Sequence, residues 1–99
     1  MRDEIFGPIL PVLPVSGPDE AAAFIRAREK PLAIYVFATQ QKVARAVLDA
    51  TSSGLAVVND CGDAMANQEA PFGGVGTSGY GRYNGKFGFD EFSHLRPIT

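Results

Sequence analysis

Apolar residues along the chain change their spacing from segment to segment, and those changes mark the expected elements. Residues 9–15 are rich in Ile, Leu and Val but are broken by Pro11 and Pro14. Proline removes a ladder donor, so this stretch reads as a short or edge strand. Ser16-Gly17-Pro18-Asp19-Glu20 then has the makings of a helix start, with proline near the first turn and acids at the positive end of the dipole. That helix is predicted to reach about Glu29, turning Ala22, Phe24 and Ile25 to a core, and Pro31 ends it. Residues 32–37 (Leu-Ala-Ile-Tyr-Val-Phe) form a continuous apolar run, the pattern of a strand covered on both faces in a parallel sheet. Thr39 is placed to cap a second helix over 40–51, where Val43, Ala46, Val47 and Ala50 fall on one stripe. Gly54 follows its end, and 55–58 reads as another buried strand.

The order strand, helix, strand, helix, strand implies an α/β fold, a small parallel sheet with two right-handed crossover helices. From Asn59 onward the regular spacing stops. Residues 59–70 are polar and irregular, 71–81 are dense in glycine, and 83–99 form an aromatic, basic tail without a clear period. Three parallel strands and two helices leave apolar surface uncovered, and Phe87, Phe89 and Phe92 have no element of their own to bury them. The core is therefore expected to be completed by another chain or by sequence outside these residues.

Composition narrows the functional classes. The 99 residues are 45% hydrophobic and 20% charged, ordinary for a folded domain. A net charge of -2 with scattered Lys and Arg gives no footprint for nucleic acid. One cysteine, Cys61, excludes an internal disulfide framework and a Cys-based zinc site, and makes a reducing, cytoplasmic setting the natural expectation. No apolar run approaches the roughly 20 residues that span a bilayer. No metal site is expected.

The glycine-dense stretch contains Gly74-x-Gly76-x-x-Gly79, which invites a dinucleotide-binding reading. That fingerprint needs a strand before it, a helix after it and an acid about 20 residues on, and this context supplies none of them. A loop lying close against a neighbouring segment fits better. Cys61 follows a strand end, where α/β proteins place functional groups, but Asp60 and Asp63 beside it do not favour a thiolate. His94 is the other half of a conceivable Cys-His pair and lies far along the chain. The acid pairs Asp3/Glu4 and Asp60/Asp63 have no supporting context for acid–base work. Asn59, at the end of a strand, has an amide able to hold either a loop or a ligand.

Glu4-Ile5-Phe6-Gly7-Pro8, Glu29-Lys30-Pro31-Leu32-Ala33-Ile34-Tyr35-Val36-Phe37, Thr51-Ser52-Ser53-Gly54 with Val58-Asn59-Asp60, Pro71-Phe72-Gly73-Gly74-Val75-Gly76-Thr77-Ser78-Gly79 and Phe92-Ser93-His94 occur in this order. Together they resemble the C-terminal part of an NAD(P)-dependent aldehyde dehydrogenase. The Arg-Glu-Lys-Pro-Leu-Ala stretch and the Phe-Ser-His ending are most similar to the class 3 and coniferyl-aldehyde-type enzymes. The resemblance implies that residues 1–99 are part of the catalytic domain, with a tail leading to the oligomerisation region. It implies that Glu4 accepts hydrogen bonds from the nicotinamide-ribose hydroxyls of NAD or NADP, and that Phe6 packs beside the nicotinamide. Phe72 would line the substrate tunnel, and Asn59, Cys61 and Met65 would face the pocket in the segment that varies with substrate.

The family's nucleophilic cysteine, general-base glutamate, oxyanion-site asparagine and nucleotide-binding domain match nothing here, and Cys61 does not occupy the nucleophile's position. The parent enzyme is expected to oxidise an aldehyde to a carboxylic acid through a cysteine thiohemiacetal, with hydride transfer to NAD(P)+. This chain would supply cofactor and substrate contacts, no catalytic group, and no activity alone. The alternative is a small non-catalytic domain acting by homo-oligomerisation or by association with a longer subunit.

Overall fold

The structure, a computed structural model, describes residues 3–61 and 66–99. Helix α1 spans Pro18–Arg26 and opens with Gly17 at the cap position and Pro18 in the first turn. Glu20 reaches back to Ser16, whose backbone N–H and hydroxyl donate to one carboxylate oxygen at 2.7 and 2.6 Å. This is a displaced form of the reciprocal capping seen at helix starts. The Ser16 hydroxyl, then its backbone N–H, hold the Glu20 carboxyl below the usual glutamate pKa. α1 stops three residues short of the expected Glu29. Arg28 supplies the reason: its guanidinium donates to the Phe24 carbonyl at 2.8 Å and lies over the Phe24 ring, occupying the acceptor another turn would use.

Strands β1 (Ala33–Val36) and β2 (Leu55–Val58) pair in parallel, with Ala33 opposite Leu55 and Val36 opposite Val58. Helix α2 (Gln41–Asp49) crosses between them and packs against both β1 and α1. Arg26 ties the two helix ends together by donating to the Ala50 carbonyl at 3.2 Å. The α/β class and the parallel sheet are as the sequence implies, but among the described residues the sheet has two strands, not three. Residues 9–15 run as irregular chain, so only α2 is a crossover helix. Pro11 and Pro14 account for this, since an edge strand missing two donors has too few ladder bonds to hold itself in place.

The α2 stripe also differs. Ala44 and Val47 are buried, at 1% and 8% exposure, whereas Ala46 faces outward. Val47 is buried and Val43 and Ala50 are half-buried, as the expected stripe has them, and the inward face widens to Ala44 and the half-buried Leu48 and Thr51. Gln40, not Thr39, takes the cap position, without a side-chain cap bond. The tail, expected to be irregular, holds helix α3 (Gly85–Glu91) with a Lys86–Asp90 ion pair one turn apart. The strands are not covered on both faces: burial alternates along β2, and Tyr35, Phe37 and Val58 are exposed.

The core is correspondingly thin. Among the described residues, Ala22, Ile34, Ala44 and Val47 are the buried apolar ones, and no large side chain is wholly enclosed. The accessible surface is 8245 Å², against about 5,400 Å² for a compact monomer of 10.5 kDa. The radius of gyration, 16.2 Å, likewise exceeds the roughly 13 Å of a compact 100-residue domain.

Candidate functional site

The glycine-dense loop is laid across the start of β2. Gly54 sits so close beneath it that a Cβ there would lie 2.2 Å from the Gly73 carbonyl oxygen and 2.8 Å from Gly74 Cα. Inside the loop a Cβ at Gly74 would lie 2.0 Å from the Ser78 carbonyl oxygen. Backbone thus packs on backbone, the arrangement only glycine permits. The Gly76–Ser78 turn is a single 3-10 turn closed by Ser78, whose hydroxyl accepts from the Val75 N–H at 2.9 Å and donates to the Val75 carbonyl at 2.8 Å. The structure therefore gives the G-x-G-x-x-G pattern a packing role.

The tip of this turn meets two distant segments. Thr77 and Ser78 line a cleft of about 500 Å³ with Glu4, Glu29, Lys30, Pro31 and Leu32. The Lys30 stem lies against the turn, since a Cβ at Gly76 would meet Lys30 Cδ at 3.3 Å. Glu4 is exposed, and among the described residues its carboxylate makes no hydrogen bond or ion pair. Two open carboxylate oxygens beside hydroxyl and ammonium groups suit a polyhydroxylated ligand. Phe6 has φ 49°, a left-handed backbone unusual for an aromatic residue, and its ring is 91% exposed. Glu4 and Phe6 thus present an open acceptor pair and an exposed aromatic ring two residues apart.

Phe72 lies on the opposite arm of the loop. Its N–H donates to the Tyr83 carbonyl and its carbonyl accepts from the Tyr83 N–H, both 3.0 Å. The two rings meet edge to face, centroids 5.6 Å apart at 71°. With Gln68, Glu69, Asn84 and Gly85 they line a cleft of about 540 Å³. This cleft shares no residue with the one at Glu4.

Asn59 uses its side chain structurally. At φ 56°, it accepts from the Ala38 N–H at 2.9 Å and donates to the Ala38 carbonyl at 3.1 Å, prolonging the β1–β2 pairing past the strand ends. Cys61 is exposed, its N–H donating to the Asp60 carboxylate at 2.6 Å. Met65 lies outside the described residues. No group of three or more His, Cys, Asp or Glu among the described residues is arranged to hold a metal, and no described helix is long and apolar enough to cross a membrane. Sequence reasoning missed Tyr83 and Asn84. No local period marks them, and the bridge to Phe72 spans eleven positions.

A parallel strand–helix–strand unit, with a glycine loop across one strand and clefts opening on both sides of that loop, is part of an α/β domain. Residues 1–98 match the profile of the aldehyde dehydrogenase family. The chain is 53% identical to aldehyde dehydrogenase family 3 member A2 of Macaca fascicularis over 97 residues, 98% of this chain. It is 55% identical over 96 residues, 97% of this chain, to the human family 3 member B1. A solved structure, the substrate-bound state of Staphylococcus aureus AldH, superposes with a TM-score of 0.89 at 49% identity, covering 95% of this chain and 20% of that one. HpcC from Thermus thermophilus superposes at 0.83 with 26% identity, covering 98% of this chain and 21% of its own. The chain belongs to the aldehyde dehydrogenase family. It spans about a fifth of the length of the relatives it matches.

Proposed function

We propose that this chain is the C-terminal segment of the catalytic domain of an NAD(P)-dependent aldehyde dehydrogenase, supplying cofactor and substrate contacts to an enzyme whose nucleophile lies elsewhere. The match across residues 1–98 carries the reading, and the open carboxylate of Glu4 beside Thr77 and Ser78 supports the cofactor role. NAD(P)+, when bound, supplies the hydride acceptor for aldehyde oxidation. Glu4 accepts two ribose hydroxyls on its two oxygens, and Phe6 offers its ring as a packing face. Phe72 walls the aldehyde site, keeping water from the reacting carbonyl, with Asn59, Cys61 and Met65 on the side that varies with substrate. Cys61 is a pocket residue here, not the nucleophile. The single cysteine is compatible with a cytoplasmic setting.

A split in steady-state kinetics tests this, using the full-length dehydrogenase that carries the segment or the S. aureus relative with its matched fifth exchanged for it. Glu4→Gln is expected to raise the KM for NAD(P)+ and leave the aldehyde KM in place. Phe72→Ala is expected to impair aldehyde turnover more than NAD(P)+ binding. The reverse split overturns both assignments.

One observation favours a second reading. The surface of 8245 Å² is about half as much again as a compact monomer of this mass needs, which suits a small domain that associates with copies of itself or with a longer subunit.

A further inference from the structure

We propose that Tyr83 is a positioning residue that fixes the ring of Phe72 and so tunes how the enzyme holds its aldehyde. This rests on the reading of Phe72 as a wall of the aldehyde site. Phe72 is half-buried, and among the described residues the ring in contact with its own is that of Tyr83. Its chain neighbours are Pro71 and Gly73, and its two ladder bonds to Tyr83 are main-chain bonds, which fix the backbone but leave the ring free to turn. The contact that bears on the ring itself is the edge-to-face one with Tyr83, at 5.6 Å and 71°. This is the geometry aromatic quadrupoles favour.

Tyr83 in turn borders α3. A Cβ at Gly88 of α3 would meet Tyr83 Cα and Cβ at 3.6 Å, ordinary contact distance, so the helix passes beside this exposed residue. Asn84 then turns the chain at φ 87° and Gly85 at φ 49°, joining Tyr83 to α3 through a short, sharply bent connection. The support runs from α3 to Tyr83 to Phe72, and its last step is a ring contact that one substitution removes while both main-chain bonds remain.

The experiment is a double-mutant cycle on aldehyde kinetics in the full-length enzyme carrying this segment. Tyr83→Ala is expected to lower kcat/KM for the aldehyde about two- to tenfold, mostly through KM, with the KM for NAD(P)+ unmoved. Tyr83→Phe, which keeps the ring edge, restores the value. Phe72→Ala combined with Tyr83→Ala is expected to match Phe72→Ala alone, because Tyr83 has nothing left to position. If Tyr83→Ala is insoluble, Tyr83→Leu takes its place in the cycle.

Additive losses in the double variant, or a Tyr83→Phe enzyme as impaired as Tyr83→Ala, would show Tyr83 acting on its own and overturn the proposal. An impaired Phe72→Ala enzyme beside an unimpaired Tyr83→Leu enzyme also overturns it. An unimpaired Phe72→Ala enzyme instead removes the reading of Phe72 beneath it.

Discussion

Replacing Gly54 by alanine probes the contact on which the loop rests. Gly54 is absent from the left-handed glycines, so alanine fits its backbone and the effect is steric alone. The new methyl would stand 2.2 Å from the Gly73 carbonyl oxygen and 2.8 Å from the Leu32 carbonyl oxygen. Both obstacles are main chain, so no side chain can swing aside. To reach ordinary contact at 3.4 Å, the Gly73 peptide must withdraw by about 1.2 Å.

Overpacking typically costs 1–3 kcal/mol, and a backbone obstacle puts Gly54→Ala near about 3 kcal/mol of stability. Phe72 immediately precedes Gly73, whose carbonyl is displaced. A shift of about 1 Å in a positioning group can cost on the order of a hundredfold in rate, equivalent to about 2.7 kcal/mol of transition-state stabilisation. The assay is aldehyde-dependent NAD(P)H formation by the segment-bearing enzyme at saturating cofactor, with a thermal melt in parallel. Gly17→Ala serves as the contrast, since a Cβ there meets nothing within 4 Å and the change at a helix cap should cost no more than about 1 kcal/mol. A Gly54→Ala enzyme with unchanged melting temperature and aldehyde kcat/KM within about twofold of the parent would refute the steric reasoning.

Asn59→Ala should cost about 2–3 kcal/mol in a melt, from two side-chain hydrogen bonds to Ala38 and the left-handed backbone; Asn59→Gly, which keeps the conformation, should lose less, and equal losses would discount the backbone part. Because the Glu20 carboxyl is held below its unfolded pKa, the Ser16 contact adds stability above the ordinary glutamate range and loses it as pH falls through the folded value. Carbon-13 titration should place the Glu20 pKa low, and Ser16→Ala should return it upward; no response to Ser16→Ala removes the assigned cause. The isolated 99-residue chain is expected to reduce no NAD(P)+ with aldehyde, and a rate abolished by Cys61→Ser would contradict that. In size-exclusion chromatography with light scattering, a compact, well-behaved monomer would count against association.

The parts of the fold visible in the sequence are those set by short-range pattern. Runs such as Leu-Ala-Ile-Tyr-Val-Phe gave β1 its place, and the Ser16–Glu20 start fixed α1. Residues 9–15 show the same apolar signal, but a strand exists only where a partner offers ladder bonds, and here none of the described residues does so. α3 was hidden because Gly85 and Gly88 suppress helix propensity over its seven residues, although Lys86 and Asp90 carry the one-turn spacing of an ion pair. In the α2 stripe only Ala46 was misplaced, because Ala46 and Ala44 are chemically identical, leaving only packing to choose between them.

The site was legible only where a motif named it. Glu4, Phe6 and Phe72 stand out through their resemblance to a family, and the structure adds what surrounds them. The cleft at Glu4 gathers Lys30 and Thr77 from segments far apart, and Phe72 meets Tyr83 across an isolated bridge. Such contacts depend on how the loop crosses β2, which no local period encodes. Asn59 shows the converse: its strand-end position suggested a ligand or a loop, and its amide holds the loop at Ala38.

The most direct test of the central reading is aldehyde-dependent NAD(P)H formation by the Staphylococcus aureus enzyme after its matched fifth is exchanged for this segment, given the TM-score of 0.89 and 49% identity. We expect the chimaera to fold and oxidise aldehyde, with Glu4→Gln weakening cofactor use and Phe72→Ala weakening aldehyde use. A folded chimaera with no aldehyde-dependent turnover, or one indifferent to both substitutions, would contradict the claim that this chain walls an aldehyde dehydrogenase active site.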